Sequence, residues 1–221
     1  MIYRKVALIT ILSIGLLEGC LGAKPEEELY VAFENAANQE KPLFDNVKIL
    51  EKLEIRGQEL YNQIIEEGKV HNEPVMQEIE QAIIGIDARG GLLEDEKVVL
   101  EKAQKEVTAV HSYINKIEDK KLQTQAKQVE DSYKKRYEAF QKISENYTKS
   151  LKIEKELYGK LKDKDTKLKE INETVTAFNI LNEEILKEKE KFNQYTKSYN
   201  VGKLAFYKEA KIKIKEIKQE K

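Results

Sequence analysis

Residues 100–117 read LEKAQKEVTAVHSYINKI, and this stretch decides the fold class. Its apolar residues recur at alternating spacings of three and four positions, at Leu100, Ala103, Val107, Val110, Ile114 and Ile117. Such spacing places one apolar side chain per turn along a single stripe of an α-helix. Charged and amide residues fill most of the positions in between. The stretch therefore predicts a long amphipathic helix whose stripe packs against other helices.

Two further stripes follow with the same spacing. The first spans residues 122–161, at Leu122, Ala126, Val129, Tyr133, Arg136, Phe140, Ile143, Tyr147, Ser150, Glu154, Leu157 and Leu161. The second spans residues 168–192, at Leu168, Ile171, Val175, Phe178, Asn182, Ile185, Lys189 and Phe192. Polar residues interrupt both stripes, and at such positions they usually fix the register of neighbouring helices at some cost in stability.

The composition agrees with long helices and few turns. The 221 residues include only 3 Pro and 10 Gly, and 36% of them are charged. A compact α/β enzyme would normally use more Gly and Pro in its turns. The 39 basic and 40 acidic residues give a formal charge of -1. This balance argues against a nucleic-acid partner, because a nucleic-acid binder presents a strongly basic face.

Several interruptions divide the chain into predicted helical segments. Gly68 to Asn72 reads as a turn, with Asn72 as an N-cap, and residues 118–120 and 163–165 form polar junctions. Asp165 or Thr166 is predicted to cap the last helix. The predicted segments are about 26–68, 73–118, 121–162 and 165–220.

Two other positions are predicted to disturb helices. Pro42 lacks a backbone donor, so it should kink a helix or begin one. Arg89-Gly90-Gly91 is the strongest mid-chain break, predicted to be a kink or a local loop.

The predicted fold class is all-α: an elongated antiparallel bundle of about four long, coiled-coil-like helices. A helix of forty residues is about 60 Å long, and short connections fold such helices back on one another. Residues 26–221 are predicted to form one helical bundle domain. A continuous rod that dimerises with a second copy is the alternative.

The first residues have the pattern of an export signal. Arg4 and Lys5 precede an apolar run of about a dozen residues, which is short for a membrane span. Leu17-Glu18-Gly19-Cys20 then resembles a bacterial lipobox, although Glu18 departs from the usual small or hydroxyl residue. The prediction is a lipoprotein signal peptide over 1–19, with an acylated Cys and tether over 20–25. An uncleaved signal anchor with an incidental Cys is the alternative.

The lipobox resemblance implies specific roles for three residues. Leu17 and Gly19 would be recognised by the signal peptidase, and Cys20 would carry a covalent diacylglycerol. Acyl chains of this kind hold a protein stably on a membrane. The expected location is the outer face of the cytoplasmic membrane, facing the cell wall. No other cofactor is predicted.

No catalytic or metal site is predicted. His71 and His111 are the only histidines and lack the spacing of zinc ligands. The many carboxylates are expected to be solvated surface, and the tyrosines to line the boundary of the core or a surface that stacks on sugars or proteins. The basic C-terminal stretch is the candidate contact for wall polymers or lipid headgroups. Its lysines are Lys203, Lys208, Lys211, Lys213, Lys215 and Lys218.

The layout of the chain resembles the YkyA family of lipoproteins, which are proposed to bind the cell wall in Bacillus, Staphylococcus and their relatives. The resemblance is carried by the lipobox at Cys20, the Lys-Pro-Glu-Glu start at 24–27 and the Lys/Glu-rich helical body. It implies a surface location and association with peptidoglycan or anionic wall polymers. It supplies no catalytic residues.

Three functions are left open. The first is a non-enzymatic envelope-binding module, and the second is a membrane-active or pore-forming helical component. The best hairpin for the second, residues 82–93, is interrupted by Asp87 and Arg89. The third is a solute-binding lipoprotein, which normally has a cleft between two lobes.

Overall fold

The computed structural model describes residues 24–67 and 73–213, and these two ranges contain helices and no strand. The helices are α1 (Pro25–Gln39), α2 (Leu43–Glu67), α3 (Glu73–Ala109), α4 (His111–Ile114), α5 (Lys120–Lys162) and α6 (Leu168–Glu209). The predicted all-α fold class is confirmed.

The described residues divide into two compact units. Unit 1 comprises residues 24–41, 99–140 and 189–213, and unit 2 comprises residues 42–67, 73–98 and 141–188. Unit 1 therefore contains α1 and α4 with parts of α3, α5 and α6. Unit 2 contains α2 with the remaining parts of those three helices.

Within each unit, α5 and α6 run antiparallel. In unit 1, Lys121 Nζ lies 2.7 Å from Glu209 Oε1, and Arg136 Nε lies 2.9 Å from Thr196 Oγ1. In unit 2, nearer to the connection between the two helices, Lys160 Nζ of α5 lies 2.7 Å from Thr174 Oγ1 of α6. Later residues of α5 thus contact earlier residues of α6, which is the antiparallel arrangement that the short connection between the two helices requires.

The stripe that predicted the fold lies in the core of unit 1. All six of its residues are at most 2% exposed, from Leu100 to Ile117. Five of them, from Ala103 to Ile117, belong to one core cluster with aromatic residues of α1 and α6, among them Phe33, Phe206 and Tyr207. The stripe keeps its phase although α3 ends at Ala109 and α4 is a separate short helix. The prediction of one helix over 73–118 is thus wrong in its bounds, while its buried face is right.

The polar interruptions of the second stripe are also buried. Arg136, Ser150 and Glu154 are 3%, 2% and 8% exposed. Each is hydrogen-bonded to a side chain on another helix. The helical phase therefore continues through these positions, and the fold supplies a polar partner for each of them. By contrast, Leu168, the first residue of the third stripe, is 69% exposed.

Two helix ends differ from the predicted segments. The segment 26–68 is two helices, because α1 ends at Gln39 and α2 begins at Leu43, directly after Pro42. This agrees with the expectation that Pro42 begins a helix, since its missing N–H is not needed there. The last helix begins at Leu168 rather than 165, and Asp163 accepts hydrogen bonds from the Asp165 N–H and Thr166 Oγ1. Neither Asp165 nor Thr166 therefore stands directly before the first residue of this helix.

The predicted break at Arg89-Gly90-Gly91 is wrong, because α3 continues through it. A glycine inside a helix costs only about 1 kcal/mol relative to alanine, which tertiary packing can offset. A Cβ at Gly90 would lie 3.8 Å from Leu151 Cδ1, and Arg89 itself is held by Glu154. The predicted turn at 68–72 lies outside the described residues.

The end of α6 is a Schellman motif with an unusual residue. The Ile212 N–H donates to the Tyr207 carbonyl at 3.0 Å, and the Lys211 N–H donates to the Lys208 carbonyl at 3.2 Å. This geometry requires a left-handed backbone between them, and Lys211 has a φ of 56°. Ile212 packs back on the core of unit 1. The motif ends the helix at Glu209, well before the predicted 220.

Replacing Lys211 by glycine is expected to raise the free energy of unfolding by about 1 kcal/mol. A side chain in the left-handed region costs roughly 1–2 kcal/mol, which glycine avoids. Chemical denaturation followed by circular dichroism would measure the change. The matched control is Lys208→Gly, which places glycine inside the helix and should destabilise by a similar amount. Destabilisation by Lys211→Gly would contradict the assignment of the cap.

Candidate functional site

The structure describes only some of the predicted site residues. Leu17, Gly19 and Cys20 lie outside the described residues, as do Lys215 and Lys218. Of the two histidines, His71 is also outside. The lipid anchor and part of the basic C-terminal stretch therefore stay predictions.

Lys203 does not lie on the surface. It is 2% exposed, and its Nζ donates to Glu34 Oε1 at 2.9 Å. A cation buried against a carboxylate cannot reach a polymer or a headgroup, so its inclusion in the predicted contact set is wrong. The remaining described members of that set, Lys208, Lys211 and Lys213, are exposed.

Lys203 belongs to a buried polar cluster in unit 1. Glu34 accepts a second hydrogen bond on the same oxygen from the Tyr207 hydroxyl at 2.9 Å. Lys203 Nζ also lies 5.6 Å and 5.8 Å from the ring centroids of Tyr199 and Tyr207. The ammonium is thus held by one carboxylate and the faces of two aromatic rings.

The second ion pair of this cluster joins α5 to the end of α1. The Arg136 guanidinium donates two hydrogen bonds to Glu40, at 2.6 Å to Oε1 and 2.7 Å to Oε2. Tyr133 donates a third, at 2.6 Å to Oε1. The guanidinium also lies 4.6 Å from the Phe192 ring centroid. This two-point geometry is the strongest arrangement available to an arginine and a carboxylate.

Burial changes the acid–base chemistry of the cluster. Burial raises the pKa of the Tyr133 hydroxyl, and the charge of Glu40 raises it further. The pKa of Tyr207 is raised in the same way by burial and by Glu34. Burial lowers the pKa of Arg136, but the charge and hydrogen bonds of Glu40 outweigh it and leave a net increase. The tyrosines are therefore held neutral and the guanidinium charged.

Unit 2 contains a comparable group. Arg89 Nη2 donates to Glu154 Oε1 at 2.7 Å, with both side chains largely buried. The Tyr147 hydroxyl donates to Glu54 at 3.0 Å, and Ser150 to Asn182 at 3.2 Å. Arg89 on α3 is thus tied to α5, as Arg136 on α5 is tied to α1 in unit 1.

These clusters pair each buried cation with a carboxylate and lie in the cores of their units. Such an arrangement specifies which helix faces meet, because a shifted register would leave charges buried and unpaired. The sequence pointed to three members, the polar residues in the second stripe. It did not point to Glu34, Glu40 or Lys203. Glu34 does share a helix face with Tyr30 and Ala37, so its spacing could have indicated that it is buried.

Other described features have the character of ordinary surface. His111 Nδ1 lies 3.2 Å from Glu130, and its side chain is 63% exposed. Across residues 24–67 and 73–213, no group of three or more His, Cys, Asp or Glu side chains is arranged to hold a metal ion. A depression of about 510 Å³ at the start of α6, from Leu168 to Thr176, is lined by that helix alone.

The proposed membrane-active hairpin is part of a packed helix. Residues 82–93 lie inside α3, where Arg89 forms its buried ion pair in unit 2. Over the described ranges, none of the helices combines the length and the apolar content that a membrane span requires.

Comparison with known proteins identifies relatives over most of the chain. The YkyA family model, described as "Putative cell-wall binding lipoprotein", matches residues 24–209. The "Uncharacterized lipoprotein YkyA" of Bacillus subtilis strain 168 is 26% identical over 200 residues, which are 90% of this chain and 90% of that protein.

A solved structure shares the fold. It is described as a conserved protein of unknown function from Staphylococcus aureus, and it superimposes with a TM-score of 0.71 at 17% identity. The alignment covers 82% of this chain and 93% of the other. Since the family match runs from the first described residue to the last residue of α6, the chain belongs to the YkyA family.

Proposed function

We propose that the chain is a lipid-anchored extracytoplasmic protein that binds the cell wall or another envelope component through its helices, without catalysing a reaction. The observation that carries the proposal is the position of the family match. The match to the family described as "Putative cell-wall binding lipoprotein" begins at residue 24, four positions after Cys20. The lipobox-like residues and the helical body thus follow one another in the order that a lipoprotein needs.

The proposal places diacylglycerol on Cys20 and the helices on the outer face of the cytoplasmic membrane. The apolar run before Cys20 is the pattern of an export signal, and acyl chains are sufficient for stable anchoring. Within a wall of peptidoglycan and anionic polymers, an anchored protein needs only weak individual contacts, because the anchor keeps its local concentration high.

Cosedimentation with purified cell wall tests the binding half of the proposal. The mature chain with Cys20→Ser is expected to sediment with at least one of two wall preparations: peptidoglycan that retains its teichoic acid, and peptidoglycan from which teichoic acid has been removed. An unrelated acidic helical protein serves as the control. Removal of residues 203–221 is unsuitable as a variant, because Phe206 and Tyr207 are fully buried and Lys203 is ion-paired. Retention no better than that of the control on both wall preparations would sink the proposal of wall binding.

Mass spectrometry of the native protein tests the anchoring half. The expected mature form begins at Cys20 and carries the mass of its acyl chains. A native chain that retains residues 1–19 with an unmodified thiol would contradict the anchor. Leakage of dye from liposomes at the concentrations that bind wall would instead favour the membrane-active alternative.

A further inference from the structure

The antiparallel packing of α1 on α6 fixes where the N-terminal tether leaves unit 1. Tyr30 and Tyr207 have ring centroids 4.9 Å apart, and Glu34 pairs with Lys203 at 2.9 Å. Earlier residues of α1 therefore lie beside later residues of α6: position 34 lies beside position 203, and position 30 beside position 207. Continued to the helix ends, this register places Lys24 at the same end of unit 1 as Lys213.

The tether that follows Cys20 is short. Lys24 is four positions after Cys20, and a fully extended chain over four positions spans at most about 14 Å. An acylated Cys20 would therefore keep Lys24 and its neighbours within roughly that distance of the lipid headgroups. The opposite end of α1 lies about 22 Å along the helix from that point, because the helix has 15 residues.

The end of unit 1 nearest the tether carries exposed lysines. Lys208, Lys211 and Lys213 are exposed, and within the described part of the chain none of them forms a salt bridge. We name these three residues the basic end. Lys24, Lys116, Lys120 and Lys121 lie at the same end of the helices.

Three of the six carboxylates at this end have a local hydrogen-bond partner. Glu209 is paired with Lys121 at 2.7 Å, and Asp119 accepts hydrogen bonds from the first backbone N–H groups of α5. Glu27 accepts a hydrogen bond from the Lys24 N–H. Glu26, Glu28 and Glu118 are the other carboxylates here. Lys208, Lys211 and Lys213 are therefore exposed lysines of this surface whose charge no carboxylate of the described residues pairs.

We propose that the basic end rests on anionic phospholipid headgroups of the same membrane that holds Cys20. This inference rests on the proposed anchoring and adds an orientation: the free ends of α1 and α6 face the lipid. A lysine beside an anionic leaflet strengthens attachment by roughly fivefold, and this attraction decays over about 8–10 Å at physiological salt. The short tether keeps these lysines near enough for that attraction to act.

Fluorescence quenching in reconstituted vesicles tests the orientation. The acylated full-length mature protein is inserted into vesicles of phosphatidylcholine and phosphatidylglycerol that contain a headgroup-attached nitroxide. Its only native cysteine carries lipid, so a fluorophore reacts solely with an introduced thiol. Lys208→Cys places that thiol in the basic end, and the matched variant Lys41→Cys places it after α1, at the other end of that helix. Quenching is expected to be several-fold stronger at position 208.

A charge substitution tests the headgroup contact. In the Lys208→Cys background, Lys211→Gln with Lys213→Gln is expected to shift the docked-to-undocked ratio by on the order of 20-fold, with quenching falling accordingly. Replacing phosphatidylglycerol by phosphatidylcholine should have the same effect. The matched control, Lys134→Gln with Lys135→Gln, removes equal charge from an exposed part of α5 and should leave quenching unchanged.

The outcomes separate the two proposals. Protein that fails to float with vesicles of either composition would overturn the anchoring, and this inference with it. Protein that floats but is quenched equally at positions 208 and 41 would overturn the orientation alone. Stronger quenching at 208 that is indifferent to the Lys211 and Lys213 substitutions and to phosphatidylglycerol would overturn the headgroup contact.

Discussion

Replacing Arg136 by methionine is expected to lower the free energy of unfolding by about 3–5 kcal/mol. The substitution leaves Glu40, which is 3% exposed, without its cation. It also removes the hydrogen bond to Thr196 and the contact with the Phe192 ring. The Tyr133 hydroxyl still donates to Glu40, so an effect near the lower limit is expected. Urea denaturation followed by circular dichroism would measure it.

A double substitution distinguishes a buried charge from a packing defect. Arg136→Met combined with Glu40→Gln removes both charges and keeps an acceptor for Tyr133, so it should recover most of the lost stability. The surface control is Arg56→Met, whose partner Glu59 lies 3.3 Å away with both side chains 57% exposed. Its expected effect is within about 0.5 kcal/mol. Equal losses for Arg136→Met and the double variant would contradict the interpretation.

Raising the pH above 10 is expected to unfold the protein cooperatively. Burial raises the pKa of seven described tyrosines, and most strongly that of five, Tyr133, Tyr147, Tyr158, Tyr199 and Tyr207. Neighbouring carboxylates such as Glu40 and Glu34 raise the pKa further. In the unfolded chain a tyrosine ionises near pH 10, so the unfolded state loses protons that the folded state retains. The stabilisation is complete below pH 10 and is lost as the pH rises from there towards the folded pKa values.

The size of this effect follows from the number of buried hydroxyls. Each buried tyrosine lowers the free energy of unfolding by up to about 1.4 kcal/mol per pH unit above 10, so five lower it by about 7 kcal/mol at pH 11. That is comparable to the total stability of an ordinary domain, about 5–15 kcal/mol. Tyrosinate absorbance and helical circular dichroism, recorded on the same samples, should therefore change together.

A variant with one fewer buried hydroxyl provides the control for the alkaline transition. Tyr207→Phe should be less stable at neutral pH, because Glu34 loses a donor, but its stability should fall less steeply above pH 10. The loss of stability per pH unit should be smaller by the contribution of one tyrosine. Full ionisation of the buried tyrosines while the helices persist would refute the account.

The sequence predicted the buried faces of the helices better than their ends. Alternating spacings of three and four report which side of a helix meets the core, and Leu100 to Ile117 are all buried as that spacing requires. Helix ends depend on local hydrogen bonds that the spacing does not encode. The left-handed Lys211 is an example, because nothing in a lysine predicts the end of a helix.

The error at Arg89-Gly90-Gly91 has a different cause. Two glycines predict a break from local propensity alone, but the ion pair of Arg89 with Glu154 depends on a residue 65 positions away. Lys203 was misassigned for the same reason. Seven lysines crowded near the C-terminus read as a solvated end, and the carboxylate that buries Lys203 lies 169 positions earlier on α1. Long-range pairing of charges decides both positions.

Glu34 on α1 and Glu40 directly after α1 also determine how unit 1 responds to tension. Glu34 is held by α6 and Glu40 by α5, so the helix is fastened to two neighbours at points six residues apart. A pull on Lys24 along the axis of α1 would have to draw both carboxylates away from their cations at once, and sliding by a single turn takes about 5.4 Å. Unit 1 should therefore withstand tension rigidly up to a threshold force and then yield abruptly.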